Sequence, residues 1–272
     1  MSRLSVAYRN SVFRSAQQLI GKRKIIRFHK AGPIEDVENF LHLLKPVAIS
    51  KPLIRVGGDA DGGYLVPDLL GGISTCFSPG VSTTADFELD LAKRGIKSYM
   101  ADYSVDAPPF ANPNFVFEKK FLGSSNGEIY MRLGDWVARN APENSNNLIL
   151  QMDIEGAEYP VLLDVSEETL ARFQIMVVEF HNFDMAFEAN GLVLLKAVFD
   201  KILRHFSVVH IHPNNYEPPQ KHNGLDIHPV LEFTFLRKDL VEKDARKLTF
   251  PHPLDRRNIG EKADVVVPQY WW

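Results

Sequence analysis

The chain has 272 residues, 45% of them hydrophobic and 24% charged, with a formal net charge of -3. That length can bury a large core as one α/β domain with additions, and that charge balance excludes a general pull towards nucleic acid. The single cysteine, Cys76, excludes an internal disulfide framework or a multi-cysteine metal knuckle and suits a reducing, cytoplasmic setting as a buried strand residue.

No apolar run is long enough to span a bilayer. The first thirty residues nevertheless depart from the overall balance. Arg3, Arg9, Arg14, Lys22, Arg23, Lys24, Arg27 and Lys30 all precede the first acid, Glu35, and Leu4, Val6, Val12, Phe13, Leu19 and Ile20 are interleaved with them. Three readings stay open: a basic amphipathic helix making peripheral contact with a membrane or acidic surface, an organelle transit segment, or a helix packed on the domain with a solvated basic face. We divide the chain into a basic helical N-terminal extension, residues 1–48, and a main domain, residues 49–272. Within the extension, Ile34 to Leu44 carries Val37, Phe40, Leu41 and Leu44 on one helical face.

Leu53 to Val66 has two apolar arms around a centre rich in Gly and Asp, which predicts a hairpin or a tight loop. Asp59 and Asp61 lack the further ligands of an EF-hand loop. The glycines either make a simple turn or let backbone N–H groups approach a ligand closely.

From Ile73 onward strands and helices alternate. Ile73 to Phe77 reads as a first strand, followed by the turn Ser78-Pro79-Gly80-Val81-Ser82 and a helix from Ala85 to Arg94 capped by Gly95. Ile96 to Ala101 is a second strand ending at Asp102, and Phe115 to Phe121 a third. Asp135 to Asn140 is a short helix. Leu148 to Met152 is a nearly continuous apolar run, as in a buried parallel strand. It ends in Asp153-Ile154-Glu155-Gly156-Ala157-Glu158, which carries carboxylates to the sheet edge where open α/β folds bind ligands. Ile175 to Glu179 is the fifth strand, and Leu192 to His205 a helix with Leu195, Val198, Phe199 and Ile202 at core spacing. Ser207 to Ile211 and Val230 to Leu236 complete the set. Such alternation argues a mostly parallel sheet with helices on both faces.

The run Met152-Asp153-Ile154-Glu155-Gly156-Ala157-Glu158 matches D-x-E-G-x-E, the signature of FkbM-type S-adenosylmethionine-dependent methyltransferases. Gly80 after the first strand, Asp102 after the second and Val177-Val178-Glu179 ending the fifth support the resemblance, which spans roughly residues 50 to 240. It implies the Rossmann-like class I methyltransferase fold, a mostly parallel seven-stranded sheet covered on both faces. It also implies S-adenosylmethionine as cofactor and a sugar or glycoconjugate hydroxyl as acceptor. The turn at Gly80 departs from the multi-glycine turn of many such enzymes.

A sulfonium methyl donor needs a turn that admits its amino-acid end, a carboxylate for its ribose and an apolar slot for its adenine. Gly80 and Ser82 suit the first, Asp102 the second, and Phe121 with Leu122 and Gly123 the third, with Asp153 at the centre. Asp102 follows Gly80 by about twenty residues, the interval expected between a cofactor-facing turn and a ribose-binding acid. A hydroxyl acceptor also needs its proton removed or polarised, by a histidine or a divalent cation. Seven of the nine histidines, His181, His205, His210, His212, His222, His228 and His252, follow the fourth strand. Asp153, Glu179, His181 and His212 could hold Mg or Mn. Alternatively, Asp153 and Glu155 accept hydrogen bonds from cofactor or acceptor, and His181 or His212 is a metal-free base. Most of the other histidines then read as surface residues, and Asn214, Asn215, Tyr216 and His222 as candidate sugar contacts or plain loop polarity. Two further functions stay open. One is a nicotinamide-dependent oxidoreductase, which the missing G-x-G-x-x-G opposes. The other is a non-catalytic sugar- or metal-binding module with a decayed cofactor site.

Overall fold

A computed structural model describes residues 29–245 and 247–272. The basic segment up to Phe28 lies outside the described residues, and with it most of the N-terminal readings above. No helix among the described residues is long and apolar enough to cross a membrane.

The fold is organised by seven strands: β1 (Thr75–Pro79), β2 (Lys97–Ala101), β3 (Phe115–Glu118), β4 (Leu148–Met152), β5 (Phe173–Phe180), β6 (Phe206–Pro213) and β7 (Leu231–Arg237). Their order across the sheet is β6-β7-β5-β4-β1-β2-β3. All neighbours from β5 through β3 run parallel. Only β7 is reversed, pairing antiparallel with β5 and β6. This is the mostly parallel, Rossmann-like arrangement expected. The strand order reverses between β1 and β4, so the crevice at their carboxyl ends is the place for a ligand.

Five helices matter here: α1 (Ile34–Leu43), α2 (Asp86–Lys93), α3 (Leu133–Asn140), α4 (Glu158–Asp164) and α5 (Ala189–His205). The apolar stripe of α5 (Leu195, Val198, Phe199 and Ile202) is fully buried in the main core. Phe180 of β5 packs edge-on or tilted against Phe199, Phe233 and Phe235. Burying each such ring stabilises the fold by about 2–3 kcal/mol, which fixes β5, β7 and α5 as one block. Val37, Phe40 and Leu41 of α1 enter the same core, so this part of the N-terminal extension is packed on the main domain.

Leu53–Val56 and Tyr64–Pro67 form the expected antiparallel hairpin. The expected third strand, Phe115 to Phe121, is broken. β3 stops at Glu118, and Phe121–Gly123 pairs instead with Tyr130–Arg132 in a separate two-stranded ribbon. The break falls at Lys119-Lys120, where Lys120 donates to the carbonyls of Gly127 and Glu128 and ties the ribbon's loop. Phe121 is thereby turned towards the ends of β1 and β4.

Candidate active site

The carboxyl ends of β1, β2 and β4 are laced together by backbone. Gly80 N–H donates to the Ala101 carbonyl at 2.9 Å, and Asp153 N–H to the Pro79 carbonyl at 3.3 Å. Gly80 has φ +93°, and a Cβ there would lie 1.5 Å from the Asp153 carbonyl oxygen. No other residue fits without moving the end of β4. One glycine does here what the spacing alone left unexplained: it brings two strand ends into contact.

A cavity of about 390 Å³ opens above these ends, lined by Gly80, Ser82, Asp102, Phe121, Tyr130 and Asp153 among others. It brings together Gly80, Ser82, Asp102, Phe121, Leu122 and Asp153 from the residues expected to contact the cofactor; Gly123 is not in its lining. Asp102 is largely buried, and its carboxylate is already engaged. One oxygen accepts from Ser82 N–H at 2.8 Å, the other from the N–H and hydroxyl of Ser104 at 2.7 Å each. The acid therefore holds both turns that frame the cavity, and Ser82 spends its N–H on Asp102. Phe121 forms an apolar corner with Tyr103 and Tyr130, at ring separations of 5.5 and 6.0 Å.

A second cavity, about 610 Å³, shares Asp153 and Glu155 with the first and is otherwise lined by Asp61, Glu179, His181, Asn214, Tyr216, Asn258 and neighbours. Between Glu155 (φ +56°) and Gly156 (φ +98°) the chain takes two left-handed residues in succession, a strained path for a glutamate. Glu158 holds it. This fully buried residue opens α4, and its Oε1 accepts from the N–H groups of Ile154 and Gly156, both at 3.1 Å. The same oxygen lies 3.1 Å from His181 Nδ1, while the His181 carbonyl accepts from the Tyr159 hydroxyl at 2.6 Å. With Nδ1 bound to Glu158, His181 presents Nε2 to Asp153 (3.8 Å), Glu155 (3.5 Å) and Glu179 (3.8 Å). The last acid of the D-x-E-G-x-E run is thus a positioning group for both the turn and the histidine, a role its helix-start position did not disclose.

Asp153, Glu179 and His181 each offer a ligand atom within 4.8 Å of the others. Glu179 is almost wholly buried. Its Oε1 accepts from Asn214 at 3.0 Å, while its Oε2 and Asp153 Oδ1 are buried without a hydrogen-bond partner. Burial, with the charges of Asp153, Glu232 and Asp61, holds the Glu179 carboxyl well above the usual range. Burial likewise lifts Asp153 to about 7, opposed by His181 and assisted by Glu155, Asp61 and Glu158. For His181, burial pulls downward, but the hydrogen bond to Glu158 and the surrounding carboxylates more than offset it and raise its pKa.

His212 does not join this group. It is buried beside Glu232, with Nδ1 3.1 Å from that carboxylate. The reversed strand β7 lies between β5 and β6, so His212 is one strand further from Asp153 than consecutive strand ends suggest. Two proposed sugar contacts are also elsewhere. Asn215 binds the C-terminal segment. His222 sits on a small hairpin (Gln220–His222 with Leu225–Ile227), its ring against Phe187. Asn214 and Tyr216 do line the second cavity.

Residues 128–218 match the family model described as the methyltransferase FkbM domain, a span that contains the Asp153–Glu158 run, Glu179, His181 and His212. No curated protein is matched by the chain. Among solved structures, similarity is found to a fibrillarin/Nop5p complex, at 14% identity, covering 61% of this chain and 73% of that one, with a TM-score of 0.38. It is also found to magnesium protoporphyrin IX methyltransferase (ChlM) from Synechocystis PCC 6803 with bound SAM, at 11% identity, covering 62% and 72%, with a TM-score of 0.27.

Proposed function

We propose that this S-adenosylmethionine-dependent methyltransferase, whose residues 128–218 match the FkbM domain, transfers its methyl group to a hydroxyl of a sugar or glycoconjugate, assisted by a divalent cation such as Mg or Mn. The observation that carries the reading is Asp153, which lines both cavities and stands with Glu179 and His181 where they meet. The smaller cavity suits the cofactor. Phe121, Leu122, Tyr130 and Ile154 offer an apolar slot for adenine, Asp102 a remaining acceptor position for ribose, and the Gly80 turn space for the amino-acid end. The larger, polar cavity suits the acceptor.

Methyl transfer is an in-line displacement, so the acceptor oxygen must be held against the methyl group in a near-attack geometry. Two carboxylate oxygens and one imidazole nitrogen are a donor set that Mg or Mn accepts. The buried, unpartnered oxygens of Asp153 and Glu179 are what a cation would relieve. Glu158 on His181 Nδ1 is the carboxylate that typically supports a ligating imidazole. When bound, the cation would polarise the acceptor hydroxyl as a Lewis acid. Asn214 keeps Glu179 turned towards the site, and Glu158 keeps the His181 lone pair on Nε2. A second reading uses that lone pair without a cation: His181 Nε2 takes the hydroxyl proton while Glu158 stabilises the imidazolium.

Calorimetric titration with S-adenosylmethionine tests the shared premise, since absence of binding by folded protein at millimolar cofactor rejects it. Assays in chelator then separate the two readings. Loss of turnover restored by Mg or Mn supports the cation, and undiminished turnover leaves His181 as base.

A further inference from the structure

The C-terminal segment after β7 stands outside the matched domain and outside the sheet, yet Asn258 and Ile259 from it line the acceptor cavity. Three anchors hold it there. His210 of β6 pairs with Asp255 at 2.9 Å, and both side chains are buried. The Asn215 carboxamide donates to the carbonyls of Ile259 and Ala263, at 2.9 and 3.2 Å, and accepts from Ile259 N–H at 2.8 Å. Asn258 Nδ2 donates to Glu232 at 2.6 Å and to Asp61 at 3.2 Å. The last bond joins the segment to the Gly/Asp loop of the N-terminal hairpin, so the cavity wall is continuous from residue 61 to residue 258.

Those two bonds use both amide hydrogens of Asn258 and fix which way its carboxamide faces. Its carbonyl Oδ1 is left buried and unpartnered, as is Oε2 of Glu179 on the same cavity. The carboxamide oxygen of Asn258 can only accept, so it is satisfied by a ligand that brings a donor. The charge of the cavity points the same way. Asp61, Asp153, Glu155, Glu179 and Glu217 line it, and no lysine or arginine is among its lining residues; Lys262, behind the Tyr216 ring, is held by the Tyr216 carbonyl. A divalent cation at Asp153 and Glu179 would still leave Asp61, Glu155 and Glu217 facing the ligand.

We propose that Asn258 is an acceptor-specificity residue. Its carbonyl oxygen takes a hydrogen bond from a second hydroxyl of an unionised polyol, and the cavity rejects rings that carry a carboxylate or phosphate beside the reacting hydroxyl. The inference rests on the methyl-transfer reading and narrows its substrate class. A carboxylate or phosphate substituent supplies acceptors where the Asn258 carbonyl already stands unpaired, and repels the acidic lining. A site built to bind a hydroxyl discriminates strongly against a ligand that lacks it.

The test uses the full chain, methyl-labelled S-adenosylmethionine, a set of neutral methyl hexopyranosides and the matching uronic acids, with wild type, Asn258→Ala and Asn258→Ser. Cofactor affinity is measured on each by calorimetry. At least one neutral glycoside is methylated, its uronic acid with kcat/KM lower by about a hundredfold. Asn258→Ala raises KM for the neutral glycoside about tenfold and leaves cofactor affinity unchanged. If the alanine variant does not fold, the serine variant, which keeps a polar group in a smaller volume, gives the same reading. Three results overturn the inference: uronic acids used as well as neutral glycosides, KM unmoved in the folded variants, or wild type that binds cofactor and methylates none of the glycosides. Wild type that fails to bind cofactor sinks the methyl-transfer reading itself, and this inference with it.

Discussion

The two cavities meet at Asp153 but are built on opposite principles. In the smaller cavity, which we assign to the cofactor, the polar groups away from Asp153 are already paired. Asp102 is engaged on both oxygens and Gly80 donates to Ala101. In the larger cavity, which we assign to the acceptor, Glu179 and Asp153 keep buried oxygens with no hydrogen-bond partner, and burial lifts Asp153 to about 7. The first cavity is a finished shape whose fit can only be spoiled. The second is an unbalanced charge that something else must complete. Substitutions should therefore act differently on the two, and the following outcomes check that contrast.

The largest effect belongs to Gly80→Ala. Its Cβ would strike the Asp153 carbonyl, at a φ that alanine rarely adopts. We expect cofactor binding to vanish in calorimetry, with a stability loss of roughly 3 kcal/mol or more in urea unfolding. Intact binding would show that the two strand ends can part without consequence. Asp153→Asn is next. It preserves shape while removing charge from both cavities, and kcat should fall about a thousandfold. A drop confined to cofactor affinity would place Asp153 on one side only.

Glu158→Gln should be milder. The amide oxygen still accepts from Ile154 and Gly156, but the charge on His181 Nδ1 is gone. Mn affinity, read by titration, should weaken about 10–100-fold while the fold stands. Unchanged Mn affinity would show that Glu158 serves the turn alone.

The smallest effect on activity is expected at Glu88, which lines neither cavity. It is buried against Ser78, and burial raises its carboxyl to about 7. The folded state keeps this proton between about pH 4.5 and 7 while the unfolded state has lost it. The associated stability is therefore present at low pH and lost as pH rises through 7, at a cost of roughly 3 kcal/mol by pH 8. Glu88→Gln should stabilise the protein at pH 8, flatten the dependence of Tm on pH between 5.5 and 8, and leave turnover nearly unchanged. A Tm gain equal at both pH values would rule out titration as its origin.

The parts of this molecule legible in the sequence are those a single strand end specifies. The apolar run of β4, the glycine after β1 and the acid after β2 all mark carboxyl ends of parallel strands, which share one rim by geometry. Phe121 lines the smaller cavity from a separate ribbon and not from the end of β3, where its sequence position puts it. What stayed hidden depends on pairing across the chain. Nothing near Asn258 announces a partner 197 residues away. His212 ends a strand as read, but insertion of β7 between β5 and β6 gives it to Glu232. The role of Glu158 is not legible in the sequence because its partners, Ile154 N–H and His181, come together only once the Glu155–Gly156 turn is folded.

The reversal of β7 has one more consequence. In a parallel sheet every connection must travel from one edge back to the other, so its length is tied to the helix it carries. Because β7 runs the other way, the chain leaves Pro213 and re-enters at Leu231 on the same edge, and residues 214–230 form an excursion with both feet on the rim. Within it Asn214 and Asn215 hold Glu179 and the C-terminal segment, and Leu225 and Ile227 enter the core. Insertions or exchanges are therefore tolerated at the exposed stretch from Tyr216 to Gly224, away from the seven-stranded sheet and the Gly80 turn. On the proposed reading, what the larger cavity recognises can change over Tyr216 and its neighbours while the smaller cavity, built on other strand ends, keeps its shape.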